Sequence, residues 1–150
     1  MGVALGIAGI FMAVAISGMG SSIGLRNAGN AVNAAMIEDP KQFGRYLVLT
    51  VLPGTQGIYG FVIGFLAISK LVAGMTLAAG LSLFFACLPV AICALSAVFQ
   101  GSVCASGIEM TVKHPEQSGK ALVIAVFIEF YSILGFVISI MLLNGNYYGS

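Results

Sequence analysis

The chain has 150 residues, of which 59% are hydrophobic and 7% charged, with a formal net charge of +1 at pH 7 and no Trp. A mean hydropathy of +1.07 is far more apolar than a water-soluble core of this size requires, so the expected solvent is lipid. A soluble enzyme and a nucleic-acid-binding module are both set aside.

Four apolar stretches follow in order, residues 3–36, 46–69, 75–108 and 121–143, each at or above the ~20 residues that cross a bilayer as a helix. Transmembrane strands would read as ~10-residue segments of alternating polarity, and these runs are long and continuous. The fold class expected is an all-α membrane protein of four transmembrane helices. In the first stretch no Lys or Arg precedes the apolar run, which continues well past a signal-peptide h-region, so it is taken as the first helix of the mature protein. Small residues recur along it at Gly2, Gly6, Gly9, Ala13, Ser17, Gly20, Gly24, Ala28, Ala31 and Ala35, close to a ~3.67-residue period. In lipid, helices associate mainly by close backbone approach through small residues. The third stretch echoes the stripe, from Ala78 and Ser82 to Cys104 and Gly107. The expectation is that both odd helices pack side by side around a tight inner wall made by several chains. Both exceed the bilayer, residues 3–36 spanning ~50 Å at helical rise, which places Arg26 and Glu109 at or beyond the interface as ordinary interfacial charges.

Arg26, Lys41 and Arg45 lie near the first connection and Lys113 and Lys120 near the third, whereas the second has only Lys70. The charged hairpin loops are therefore expected in the cytoplasm and both termini on the opposite side. Cys87, Cys93 and Cys104 lack CxxC spacing and read as small packing residues. His114 is a lone loop residue, and no nucleophile, phosphate loop or metal cluster suggests catalysis.

The chain repeats itself. "EDPKQFGRYLVLTVLPGTQGIYGFVIGF" from residue 38 lies over "KHPEQSGKALVIAVFIEFYSILGFVISI" from residue 113, so that Pro40 meets Pro115, Gly44 meets Gly119 and Gly60 meets Gly135, a constant offset of 75. This is a tandem duplication of a helical hairpin, 1–72 and 73–150, in parallel orientation. The same register sets Gly54 against Glu129, leaving one carboxylate for two hairpins, with the wall opposite it expected to be free of side chain.

Glu129 lies nine residues past Lys120, about 14 Å at helical rise, and so near the centre of a ~30 Å hydrocarbon layer. Ionised and alone there it would cost at least ~2.5 to 3.5 kcal/mol. It must be protonated, paired or bound to a cation, and no basic residue of the chain occurs at that depth to pair with it. Thr55, Gln56 and Gln100 reach the same level, Tyr59 shares a face with Thr55, and Pro53 frees backbone carbonyls around Leu49 to Leu52. Hard cations prefer such oxygen ligands, and two glutamines and a threonine exceed what a proton needs, which favours sodium over the alternative, H+.

At these residues "LPGTQGIYGFVIGFL", "FQGSVCASGI" and "IEFYSILGFVIS" closely resemble the proteolipid (K, or c-type) subunit of prokaryotic V-type ATPases, especially the sodium-pumping kind. The resemblance runs over nearly the whole chain, the N-terminus departing by its lack of a leader. It implies a rotor ring of identical four-helix subunits surrounded by lipid in a prokaryotic cell membrane. A central stalk would turn the ring against its cytoplasmic loops, near residues 37–45 and 111–120, and a stator membrane subunit would supply an arginine. It also implies Na+ held by the Glu129 carboxylate, the Thr55 hydroxyl, the Gln56 and Gln100 side chains and the Leu52 carbonyl, with Tyr59 hydrogen-bonding the glutamate. Two other classes remain to be separated from this one: a small four-helix multidrug antiporter, and a structural or fusion-pore membrane protein.

Overall fold

The computed structural model describes residues 1–145. Among these, six α-helical segments follow one another: α1 (Gly2–Glu38), α2 (Phe43–Val51), α3 (Thr55–Ile68), α4 (Leu77–Cys93), α5 (Ser96–Lys113) and α6 (Ser118–Asn144). Joined across short turns they make four spans long and apolar enough to cross a membrane: α1, α2 with α3, α4 with α5, and α6. No strand occurs among the described residues. The end of the second hairpin, residues 146–150, and with it the C-terminus expected outside the cytoplasm, lies outside the described residues.

Proline sets the local breaks. Pro40 and Pro115 each open a 3-10 turn that leads into an even span, and the Asp39 carboxylate accepts the Lys41 N–H at 3.1 Å to cap the first. Pro53 lies in the turn Leu52–Gly54, which divides the second span as its missing N–H demands. The third span was expected as one helix, yet it also divides, at Ala94–Leu95. There the ladder tightens to Leu95 N–Ile92 O and Ala97 N–Ala94 O bonds, both 3.1 Å. Pro89 lies inside α4 without ending it. The tightening falls beside close neighbours, since a Cβ on Gly135 of α6 would meet Pro89 O and the Cys93 side chain at 2.6 Å, and one on Gly20 of α1 would meet Ala94 O at 2.8 Å.

The small-residue stripe of α1 is buried almost as read, with Val32 in place of Ala31. Within the chain the stripe packs side by side with the third span, as expected of the two odd helices, and Ser17 and Ala13 of the same stripe also meet Gly60 of α3. A Cβ on Gly101 would overlap the Gly24 carbonyl, and one on Gly24 the Ala97 carbonyl. The reason is the duplication, because each odd span carries a narrow face and the two faces satisfy one another inside the chain. Two apolar clusters result, one around Ala13, Ile63, Leu83 and Leu143 and one around Ala28, Leu49, Cys104 and Ala125. Cys87 and Cys104 are buried in these clusters. Along α3, α5 and α6 the polar residues Gln56, Gln100 and Glu129 fall between the two. The outer surface is covered by large apolar side chains such as Phe11, Phe65 and Phe99, each about two-thirds exposed, as lipid contact requires.

Because α1 and α5 meet backbone to backbone, Gly101→Val is expected to separate them and abolish recovery of folded protein from membranes. Gly29→Ala, where a Cβ finds nothing within 4 Å, is expected to be recovered in full, with its thermal midpoint in mild detergent unchanged within error.

Candidate ion-binding site

The site is assembled by three spans, and its geometry begins with Pro53. Lacking an N–H, the proline offers nothing to the Leu49 carbonyl, and the turn that follows ends where the Thr55 N–H donates to Leu52 O. The start of α3 is thereby stepped aside from α2, and Thr55 and Gln56 turn inward together. Gln56 and Gln100 are wholly buried and Glu129 is 6% exposed.

The two oxygens of Glu129 are treated differently. Oε2 accepts two amide N–H groups, from Gln56 Nε2 at 3.0 Å and Gln100 Nε2 at 2.9 Å. The amides are in turn tied down, Gln56 Nε2 donating to Gln100 Oε1 at 2.6 Å and Gln100 Nε2 to Ala125 O at 3.0 Å. Oε1 faces Thr55 Oγ1 at 2.6 Å, and that hydroxyl also stands 2.8 Å from Leu52 O and 3.3 Å from Gln56 Oε1. One hydroxyl carries one proton, so it serves a single one of these three oxygens. The other close contacts call for a further proton, such as that of the Tyr59 hydroxyl, or for a cation. One side of the carboxylate is thus fastened by donors, and the other opens on a group of oxygens gathered around the Thr55 hydroxyl. Among the described residues every hydrogen-bond partner of Glu129 is uncharged.

The structure brings together Leu52, Thr55, Gln56, Gln100 and Glu129. The Tyr59 ring packs on Phe136 with centroids 5.1 Å apart, and its hydroxyl lies within reach of Glu129 and Thr55. Two expectations change. Gly54, assigned to the wall opposite Glu129, faces α1 instead: a Cβ there would meet only Leu25, at 3.5 Å. It precedes Thr55 in the turn and is rotated away from the face that Thr55 and Gln56 present. Pro53 likewise points at α1, against Gly24. Gln100 also differs, offering Glu129 its nitrogen, while its oxygen is engaged by Gln56. A half-turn of the amide exchanges the two ends.

Sequence reading missed Ser21. Its Oγ accepts the Gly57 N–H at 2.7 Å, a donor in the first turn of α3 that no residue of its own helix caps. In sequence Ser21 is one more small residue beside Gly20, and nothing marks it as a cap for a helix 36 positions away. Ala125 O was invisible for a simpler reason, since any residue supplies a carbonyl.

A doubled hairpin, four membrane spans and one carboxylate held midway among uncharged polar groups define a class of ion-carrying membrane proteolipids. The chain belongs to the ATP synthase C-subunit family, whose model matches it twice, over residues 8–67 and again over 73–142. It is 42% identical, over 94% of its length, to the V-type sodium ATPase subunit K of Enterococcus hirae, and covers 91% of that protein. It is also 35% identical, over 97% of its length, to the A-type ATP synthase subunit K of Methanocaldococcus jannaschii, of which it spans 64%. As a member of this family it is an ion-translocating membrane subunit of an ATPase and not the catalytic one.

Loss of the Ser21 hydroxyl should loosen the first turn of α3. In Ser21→Ala the Gly57 amide is expected to exchange hydrogen about fivefold faster, the effect of a hydrogen bond worth ~1 kcal/mol. Ser17→Ala removes a buried hydroxyl from the same stripe, one without a hydrogen-bond partner, and should leave that rate unchanged.

Proposed function

We propose that the chain is a rotor subunit of a V-type ATPase, that identical copies form a ring, and that each carries one Na+ across the membrane on Glu129. The observation that supports the choice of ion is the gathering of three oxygens, Leu52 O, Gln56 Oε1 and Glu129 Oε1, within 3.3 Å of Thr55 Oγ1. A proton shared with a carboxylate needs one acceptor, whereas a hard cation of sodium's size gathers several oxygens at once. In this reading the ligands are Glu129, Thr55, Gln56, Gln100 and the Leu52 carbonyl, Gln100 turning its oxygen inward. Tyr59 hydrogen-bonds the carboxylate from the rim. The named function of the Enterococcus relative, a sodium ATPase, points the same way.

The working cycle follows from charge. With Na+ bound the site is formally neutral and travels facing lipid. Emptied, the carboxylate is held back until a positive group meets it, and an arginine on a stator membrane subunit would supply that group. Such a requirement makes each site reload before it passes on, which prevents slippage. Every ion moved against a membrane potential works against ~2.3 kcal/mol per 100 mV, and ATP hydrolysis in other subunits meets that load through a stalk bearing on the loops near 37–45 and 111–120. In this reading those loops face the cytoplasm of a prokaryotic cell, and both termini the outside.

Carbodiimide is expected to label Glu129, and Na+ to suppress the labelling in a saturable way. Thr55→Val, which removes one oxygen, should raise the half-protecting Na+ concentration about tenfold, and Glu129→Gln should abolish both labelling and transport. Protection that depends on pH alone and never on Na+ would instead assign the site to H+. A dimer in mild detergent, in place of a large ring, would overturn the ring assembly.

A further inference from the structure

We propose that the cytoplasmic edge of each junction between copies binds the phosphate of an anionic phospholipid, held by Lys120 of one copy and Lys41 of the next. The site rests on the ring proposed above, because its two lysines come from different chains. What points to it is a reversal of charge exposed by the duplication. Glu38, Asp39 and Lys41 of the first hairpin loop stand where Lys113, His114 and Glu116 stand in the second, whereas Arg45 and its equivalent Lys120 keep the same sign.

Inside the chain the reversal is satisfied. Arg45 opens the second span beside the loop of the second hairpin, and its positive charge acts on Glu116 there. Opposite signs thus meet where the first hairpin adjoins the second. In a ring the second hairpin of one copy adjoins the first hairpin of the next, and the residues equivalent to Arg45 and Glu116 are then Lys120 and Lys41. Two positive charges face each other at that junction. Both side chains are exposed, and neither forms an ion pair among the described residues.

The acids of this end of the chain are engaged elsewhere. The Asp39 carboxylate accepts the Lys41 backbone N–H at 3.1 Å, and Glu116 lies 3.6 Å from His114. Glu38 and Glu109 line a groove between α1 and α5 together with Lys113. Unpaired cations therefore collect where the even spans begin, and a counter-anion for the junction between copies comes from outside the chain.

The surroundings favour a lipid. Lys120 directly precedes the apolar run of α6, and Lys41 lies five residues before that of the second span, so both ammonium groups fall at headgroup level. Farther along the even spans Phe43, Leu47, Val123 and Ile124 are exposed, an apolar surface that suits acyl chains and offers a free ion nothing. Gly44 and Gly119, in the first turns of α2 and α6, leave room, since a Cβ on either would meet nothing within 4 Å. A phosphate lodged between two ammonium groups takes charge-assisted hydrogen bonds from both.

The test is a titration of the ring in mild detergent with dioleoyl phosphatidylglycerol, followed by its thermal dissociation, with zwitterionic phosphatidylcholine alongside. Phosphatidylglycerol should raise the dissociation temperature in a saturable way and phosphatidylcholine should not. Lys41→Gln and Lys120→Gln should each raise the half-saturating concentration about fivefold, the worth of one lysine at an anionic surface. Lys113→Gln, in the groove between α1 and α5, should leave it unchanged. Lys41→Glu sets opposite signs at both kinds of junction, so its ring should keep full size and lose the response to phosphatidylglycerol. A response that survives unchanged in both glutamine variants overturns the site, and equal stabilisation by inorganic phosphate overturns the lipid in favour of a soluble anion. A chain that forms no ring before lipid is added overturns the ring reading instead.

Discussion

A carboxylate halfway through a bilayer has no water to turn to, and the architecture of this chain follows from how Glu129 is accommodated. Its Oε2 takes two amide donors and its Oε1 is left among oxygens. Neither arrangement tolerates a gap. The amides of Gln56 and Gln100 reach Glu129 only because three spans converge there, and they are held at their angle by each other and by Ala125 O. Apolar clusters above and below seal the polar layer, so each hydrogen bond acts in a low dielectric, where it is strong and where its loss is costly.

Convergence of that kind demands thin helices. Glycine and alanine along α1 let the third span come within backbone contact, which brings Gln100 inward toward the second and fourth spans. Pro53 then moves the start of α3 out of line with α2, so that Thr55, Gln56 and the Leu52 carbonyl arrive from one turn. That turn lacks a cap of its own, and Ser21 supplies one from α1. The helix that packs the bundle therefore also steadies the segment that carries the oxygens.

Much of this was legible in the residues. Long unbroken apolar runs allow only helices in lipid, the offset of 75 exposes the duplication, and one acid at midplane depth among uncharged polar groups marks the site. What escaped shares a physical origin, which is rotation about a helix axis. Depth follows from counting residues at helical rise, but the direction in which Gly54 points depends on the 3-10 turn around it, and a count along the chain carries no angle. Whether Gln100 offers nitrogen or oxygen is a torsion, and the Ser21 cap joins residues on two different spans. Neither leaves a local trace. The break at Ala94–Leu95 depends on pressure from α1 and α6, which are contacts made only after folding.

The backbone contact between α1 and the third span also sets a shape. The odd spans are drawn together by glycine, whereas the even spans are held apart by whole side chains such as the Tyr59 and Phe136 rings. A chain narrow on one side and broad on the other is a wedge, and copies set edge to edge turn through the angle of that wedge. On the proposed reading, with one acid per wedge, the number that completes the circle would be the number of ions moved in a revolution. On that reading the glycines that let the odd spans touch, far from the ion, would bear on the gear ratio of the ring.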